Sequence, residues 1–547
     1  MTYRACRGFL VSILVLLAAG CDSESVEPAD SVFVNGAIYV GKSETPWVSD
    51  VAIADGRFVY VGEDASIFIG PETSVYDLDG RMTIPGLIDG HTHIGLVGLS
   101  HDLVELPDVS SKPELFEAIR QMVREDPSND YIIGGYWPNE LFEESGPDKR
   151  DLDSIDDSRP IILYDWLTHS VWANSRALEQ AGVNRDTPDI TPDFSFYKKG
   201  DDGEPTGWIT ESASSVFINN FHSVTPDVVD AMLEYMHYFR TQGVTTLLDA
   251  GNFGMDEDVY AAISKLDKED RLPVRFHGSY TLFKPDDLES AVATLQDLAR
   301  KFNSENVRID TLKVFYDGVV DTRTAGMMED YLDTPGNSGE ILLSQAQVHD
   351  LIIELEAAGL NLHVHSVGDR ATHTLLNAVD DARKTLGRPQ SIRITICHVE
   401  FVIDSDFNRF KDLDVVANFT PHWAVGGDLS WFEAGVGDLA SRMQRSQPLL
   451  KDGARVSFSS DNTTESEWKG ERKASSPFTG MQVGHMRQDI GMSASDPILP
   501  PAAERLKLDD LLNGYTTDAA YQLGRSDIGT IAIGKQGDLV VLNQNIF

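Results

Sequence analysis

Apolar residues recur in short runs that end on polar side chains and are followed by stretches of helical periodicity. Eight such runs read as strands, at 84–93, 245–250, 274–278, 311–317, 360–365, 394–398, 415–420 and 455–461. Helical spacing fills most of the intervals, for example at 351–358 and 371–384. Strand and helix alternating eight times predict an α/β fold, a (β/α)8 TIM-type barrel whose chemistry sits where the strands stop. The first interval is too long, at roughly 150 residues, for an ordinary connection. The stretch 95–242 therefore reads as an insertion that walls the pocket.

Both ends of the chain carry a different pattern. Short β runs at 32–40, 51–54 and 58–62 are separated by the turn pairs Asn35-Gly36 and Asp55-Gly56, and 529–542 again reads as strand, turn, strand. The expected organisation is a small β-sandwich built from 31–81 and from 508–547, the latter opening with a final helix. The barrel occupies 82–507 between them.

The first residues belong to neither unit. Arg4 and Arg7 precede an apolar run at 8–20, which reads as a signal peptide over 1–20. Leu17-Ala18-Ala19-Gly20-Cys21 is similar to a lipobox, so Cys21 is the expected acylated residue and 21–30 a flexible tether. An exported lipoprotein, anchored in a membrane and facing the periplasm or cell exterior, is the expectation. Of Cys6, Cys21 and Cys397, processing leaves only Cys397 as a free thiol, which excludes an intrachain disulfide framework. With 41% hydrophobic residues, eight Trp and 24 Phe, a large core is available. The formal net charge of −42 disfavours nucleic acid and anionic lipid surfaces as partners and leaves a small-molecule substrate as the expected one.

The most informative stretch is Pro85-Gly86-Leu87-Ile88-Asp89-Gly90-His91-Thr92-His93. Alternate residues of a strand share a side, so His91 and His93 can address one ion while Thr92 faces away. Three further strand ends supply His365, His398 and Asp461. Four imidazoles and a carboxylate converging on one barrel mouth call for a cation to compensate them. His363 shares the parity of His365 and competes with it; His365 is preferred because it lies nearer the strand end.

With a lysine on the fourth strand, this ordered set resembles the amidohydrolase superfamily. Trp166-Leu-Thr-His-Ser-Val-Trp-Ala-Asn-Ser-Arg-Ala-Leu178, Gly203-Glu-Pro-Thr-Gly207, Lys313-Val-Phe-Tyr-Asp-Gly318, His365-Ser-Val-Gly-Asp-Arg-Ala371 and Gly534-Lys-Gln-Gly-Asp-Leu-Val-Val-Leu542 narrow the likeness to amidohydrolase family 3, the branch that includes N-substituted formamide deformylases. The resemblance implies one or two divalent metal ions, with zinc favoured and manganese, iron or cobalt open. It implies His91, His93, Lys313, His365, His398 and Asp461 as ligands, Lys313 as a carbamate bridging two ions, and Asp461 as proton shuttle. The implied reaction is hydrolysis of an amide, formamide or cyclic amide C–N bond by metal-bound hydroxide. Lactone, ester or phosphoester hydrolysis on the same centre and a catalytically inactive binding lipoprotein are the alternatives. His169, Trp172 and Asn174 are candidate pocket-wall residues, and His422 a candidate substrate or oxyanion contact. Cys21→Ser is expected to abolish incorporation of labelled palmitate and to release the protein from membranes, measured by fractionation. An unacylated mature N-terminus in the unaltered protein would refute the anchor.

Overall fold

The computed structural model describes residues 26–142, 145–192, 194–470, 474–493 and 495–547. The expected signal peptide and Cys21 lie outside the described residues. The tether expected through Asp30 ends sooner: Ala29 is buried and donates its N–H to the Phe68 carbonyl at 2.8 Å, so the chain has already joined the fold.

Eight parallel strands form the barrel expected from the pattern: β1 (Leu87–Thr92), β2 (Val244–Asp249), β3 (Arg275–Leu282), β4 (Val307–Phe315), β5 (Asn361–Ser366), β6 (Ile394–His398), β7 (Val415–Phe419) and β8 (Val456–Phe458). They follow one another in chain order around the sheet. Their residues are buried almost throughout, which is why they read as continuous apolar runs and not as alternation. At the seam between β8 and β1, Asp461 donates its N–H to the His91 carbonyl at 2.8 Å and His93 donates to that of Asn462 at 3.0 Å. The closure thus runs through candidate site residues.

Crossover helices cover the outside. Gln345–Ala358 starts on a Ser344/Gln347 capping box, and Asp369–Leu386 carries Arg383 and Lys384 in its last turn, where cations oppose the helix dipole. The floor is plugged by helix Thr517–Gln522, whose Gln522 side chain donates to the Gly90 carbonyl at 2.6 Å. A Cβ at Gly90 would stand 2.9 Å from that side chain's Oε1, so a larger residue there would displace the Gln522 amide.

The two chain ends meet in two four-stranded sheets. One holds Ser31–Val34, Asp50–Ala54, Arg57–Gly62 and Ser74–Asp77; the other holds Ala37–Tyr39, Trp47–Val48, Met82–Pro85 and Leu539–Val541. Met82–Pro85, expected within the barrel, instead pairs antiparallel with Leu539–Val541. Of the strand pair expected at the C-terminus only Leu539–Val541 forms, and the Phe547 ring closes the edge against Tyr39 and Trp47.

The insertion is smaller than the expected 95–242. Helix Pro226–Thr241 buries Met232, Tyr235, Met236 and Phe239 in the barrel's main hydrophobic cluster and is an ordinary crossover helix. Before it, a six-stranded sheet runs from Val104–Glu105 through Ile132–Trp137, Ile161–Asp165, Ser170–Ala173 and Pro205–Thr210 to Tyr197–Lys199. This lobe has its own core, centred on Trp137, Phe142 and Trp172. Trp172 is therefore no pocket-wall residue: it is fully buried there and its Nε1 donates to the Asp148 carbonyl at 3.0 Å. Asn174 caps helix Ser175–Ala181 and joins it to Ile161, accepting from the N–H groups of Ala177 and Ile161 at 2.9 and 3.0 Å. Both residues carry the lobe's packing, which sequence alone could not separate from a ligand contact. Trp172→Ala is expected to cost the lobe about 3–5 kcal/mol, read as lost amide-exchange protection across 104–210 ahead of the barrel strands. Intact protection would remove the assignment.

Candidate metal centre and substrate cavity

β1 delivers His91 inward and His93 follows at its end, so that their Nε2 atoms lie 3.3 Å apart. Asp461 Oδ1 is 3.3 Å from each of them. Thr92, between them, turns outward to the Tyr235 hydroxyl at 3.2 Å. Opposite, His398 closes β6 with φ at 72°, a left-handed backbone that a histidine adopts at a cost, and its Nδ1 stands 3.5 Å from Asp461 Oδ2. The His365 and His398 ring centroids are 4.5 Å apart. Lys313 Nζ reaches in from β4, 3.2 Å from His91 Nε2 and 3.5 Å from Cys397 Sγ.

Register explains the roles of the competing histidines. β4 pairs with β5 so that Lys313 stands opposite His363 and Phe315 opposite His365. His363 is thus one pleat deeper, where its Nε2 meets His91 Nδ1 at 3.0 Å and orients that ring from behind. His365 is oriented in turn by Asp317, whose Oδ1 lies 3.2 Å from its Nδ1. Asp317 also accepts from the backbone N–H groups of Gly326, Val367 and Gly368. Burial raises its pKa to about 7 against the pull of those donors. Asp317 lay within the Lys313–Gly318 motif, but its orienting role depends on His365 and on the backbone at 367–368, remote in sequence. Cys397 was noted only as a free thiol, yet its Sγ shares one ligand-like cluster with His91 and His398.

Burial, followed by the charge of Lys313 or of neighbouring histidines, holds His91, His363, His365 and His398 well below the ordinary imidazole pKa. They are neutral and their lone pairs are available. Burial works against the Asp461 carboxylate, but the hydrogen bond and charge of His93, with Lys313 and His365, outweigh it and leave its pKa lowered. His398 Nδ1, though buried, has no hydrogen-bond partner. Neutral imidazoles, an ionised carboxylate and an orphaned ring nitrogen around one point fit a divalent cation.

Comparison with known proteins decides the family, because the model of the amidohydrolase family matches residues 74–547. The chain belongs to the amidohydrolase family. Among its relatives, the exoenzymes regulatory protein AepA of Pectobacterium carotovorum is 29% identical over 73% of this chain and 86% of its own. The N-substituted formamide deformylase of Arthrobacter pascens is 24% identical over 94% of each chain. A solved structure titled an uncharacterized metal-dependent hydrolase from Pyrococcus furiosus shares the fold, with a TM-score of 0.66 at 24% identity, over 94% of this chain and 99% of that one.

In this amidohydrolase the centre opens into a cavity of about 520 Å³. His169 lines it, reaching in from the inserted lobe, whereas Trp172 and Asn174 do not. Its Nδ1 meets the buried Glu211 Oε2 at 2.6 Å, and the other oxygen of Glu211 accepts from the Thr324 hydroxyl at 2.6 Å. Burial opposes charge on His169, but the charge and hydrogen bond of Glu211 prevail and raise its pKa to about 9. His422 is turned away, with its Nε2 2.9 Å from the Ser476 carbonyl; its neighbour Trp423 lines the cavity and stacks on His398 at 5.5 Å. The 3-10 turn Pro421–Trp423 that follows β7 puts Trp423, and not the expected His422, at the cavity. Because the folded pKa of His169 is raised above the ordinary 6.5, its ion pair with Glu211 stabilises the fold fully below that pH and is lost as pH rises through about 9. Unfolding measured from pH 6 to 10 is expected to show this decline, and Glu211→Gln to remove it. An unchanged profile in the variant would refute the pairing.

Proposed function

We propose that this chain hydrolyses a non-peptide C–N bond of an amide, formamide or cyclic amide, with a divalent metal as cofactor. The observation that carries the reading is the Asp461 carboxylate, held ionised in a buried site and shared between His91 and His93. His91, His93, His365, His398 and Asp461 would hold the metal, with Lys313 joining them if CO2 converts its amine to a carbamate. Bound there, a divalent ion supplies a Lewis acid for the carbonyl and a water of lowered pKa, and zinc suits the imidazole-rich set.

The protein's own groups do the rest. Asp461 accepts a proton from the attacking water and returns it to the departing nitrogen, which an amine needs because it leaves poorly as an anion. His169 presents a cation across the cavity, where negative charge on the former carbonyl oxygen is stabilised. Trp423 and Phe315 stack on His398 and His365, limiting access of bulk water to the histidine face.

The wall also speaks to substrate charge. Glu211, Asp321, Glu400, Asp428 and Glu467 line the cavity, Lys313 is the one lysine among the described lining residues, and arginine is absent from them. Burial, with the charges of Asp321 and Asp317, raises Glu400 to about 8 and keeps it protonated at neutral pH, and burial also raises Asp321 to about 6 and Glu467 to about 7, so the wall presents acidic groups and no arginine to pair an added anion. This disfavours phosphoesters and N-acyl amino acids and favours substrates that release an amine. The name of the deformylase relative agrees with C–N chemistry. We further propose that Cys21 anchors the enzyme on the outer side of a membrane, as the N-terminal pattern suggests.

His91→Ala is expected to lose bound metal and activity together, whereas Asp461→Asn retains most of the metal and loses roughly 10²–10⁴ in kcat. Elemental analysis of both variants, with turnover of neutral N-alkyl amides, esters and N-acyl amino acids, tests the reading. Protein that binds no divalent metal, or that cleaves esters and no amide, would overturn it.

A further inference from the structure

A second chamber of about 50 Å³ adjoins the main cavity across Leu96, Thr168, Phe253 and Thr463, which line both. Its outer wall comes largely from the inserted lobe and the helices beside it, through Leu103, Tyr136, Tyr164, Ile218 and His222. Among the described residues no aspartate, glutamate, lysine or arginine lines it. His222 is neutral, pushed down to about 4 by burial, and its Nε2 is 3.1 Å from the Tyr164 hydroxyl. An uncharged chamber thus shares a wall with an acidic cavity, and the two environments suit different parts of one molecule.

Position selects the part. Thr463 follows Asp461 by two residues, and the Phe253 ring lies 6.0 Å from that of His93. The chamber therefore lies beside the Asp461 and His93 side of the centre, where the proposed return of a proton to the departing nitrogen would take place. Its volume equals about four water-sized groups, which is room for a short alkyl arm and not for a fatty chain.

We infer that this chamber is the subsite for a short apolar substituent on the departing nitrogen, so that the substrate class is N-alkyl amides with an arm of about four carbons. The inference rests on the C–N reading above. Water gives its oxygen to the carbonyl carbon as the C–N bond breaks, and its proton passes by way of Asp461 to the nitrogen. The amine product takes a second proton from solvent. Its ammonium then faces the carboxylates of the main cavity while its tail stays in the chamber.

The test is a series of N-alkyl acetamides from methyl to octyl on the metal-loaded enzyme. We expect kcat/KM to rise about fourfold with each methylene as far as butyl, then to fall at hexyl and octyl. A matched series that lengthens the acyl chain on N-methyl amides should stay flat. Ile218→Trp, which fills the chamber, should bring the butyl-to-methyl ratio towards one, and Leu103→Phe provides a second variant should the first misfold. Calorimetry with n-butylamine and methylamine on the unaltered protein is an independent readout, with butylamine expected to bind roughly tenfold or more tightly. A wild-type ratio near one, a gain that follows the acyl chain, or equal binding of the two amines would overturn the inference. If no amide is cleaved but butylamine still binds more tightly and Ile218→Trp removes the difference, the C–N reading fails and the chamber stands.

Discussion

The largely enclosed carboxylate of Asp461, held against His91 and His93, is the interaction on which the rest depends. An acid in that position tends towards its neutral form, because a low-dielectric interior opposes charge. It stays ionised because the hydrogen bond and charge of His93, with the charge of Lys313, outweigh that cost, while burial keeps His91, His365 and His398 neutral. The same residue closes the barrel, since its N–H donates to the His91 carbonyl across the β8–β1 seam. The geometry of the candidate centre and barrel closure are therefore one structural fact, and neither can shift without the other.

Around that centre the barrel supplies position and the insertion supplies environment. Strand ends fix His91, Lys313, His365 and His398 on a rigid frame, and His363 and Asp317 hold two of the rings from behind. The inserted lobe, folded about its own tryptophan core, adds His169 and Glu211 as a cation–anion pair beside the metal face and walls an uncharged chamber next to it. The frame and the lobe have separate cores, so the residues that orient the centre and those that wall its cavity come from different units of the fold.

Strain concentrates at the same places. Thr168, Glu211, His398, Val399 and Asp461 all have positive φ although none is glycine. Each lies in or beside the site, and neighbours pin two of them: His398 between the rings of His365 and Trp423, and Glu211 by the Thr324 hydroxyl. Such conformations persist only where surroundings over-determine them. The rings and carboxylates are thereby aimed before any substrate arrives.

The linear pattern determined the barrel, the joining of both ends in a sandwich and the residue types at the strand ends, because buried parallel strands must be apolar and their polar termini stand out. Parity alone was enough to pair His91 with His93. Tertiary structure decided the rest. Register across β4 and β5 set His363 a pleat below His365, which parity could not separate. Packing in the lobe made Trp172 and Asn174 structural, and a 3-10 turn exchanged His422 for Trp423 at the cavity wall. Asp317, Cys397 and the chamber beside Thr463 emerged only when segments remote in sequence met. Periodicity records which side of its own element a residue faces, whereas a site is made of what faces it from elsewhere.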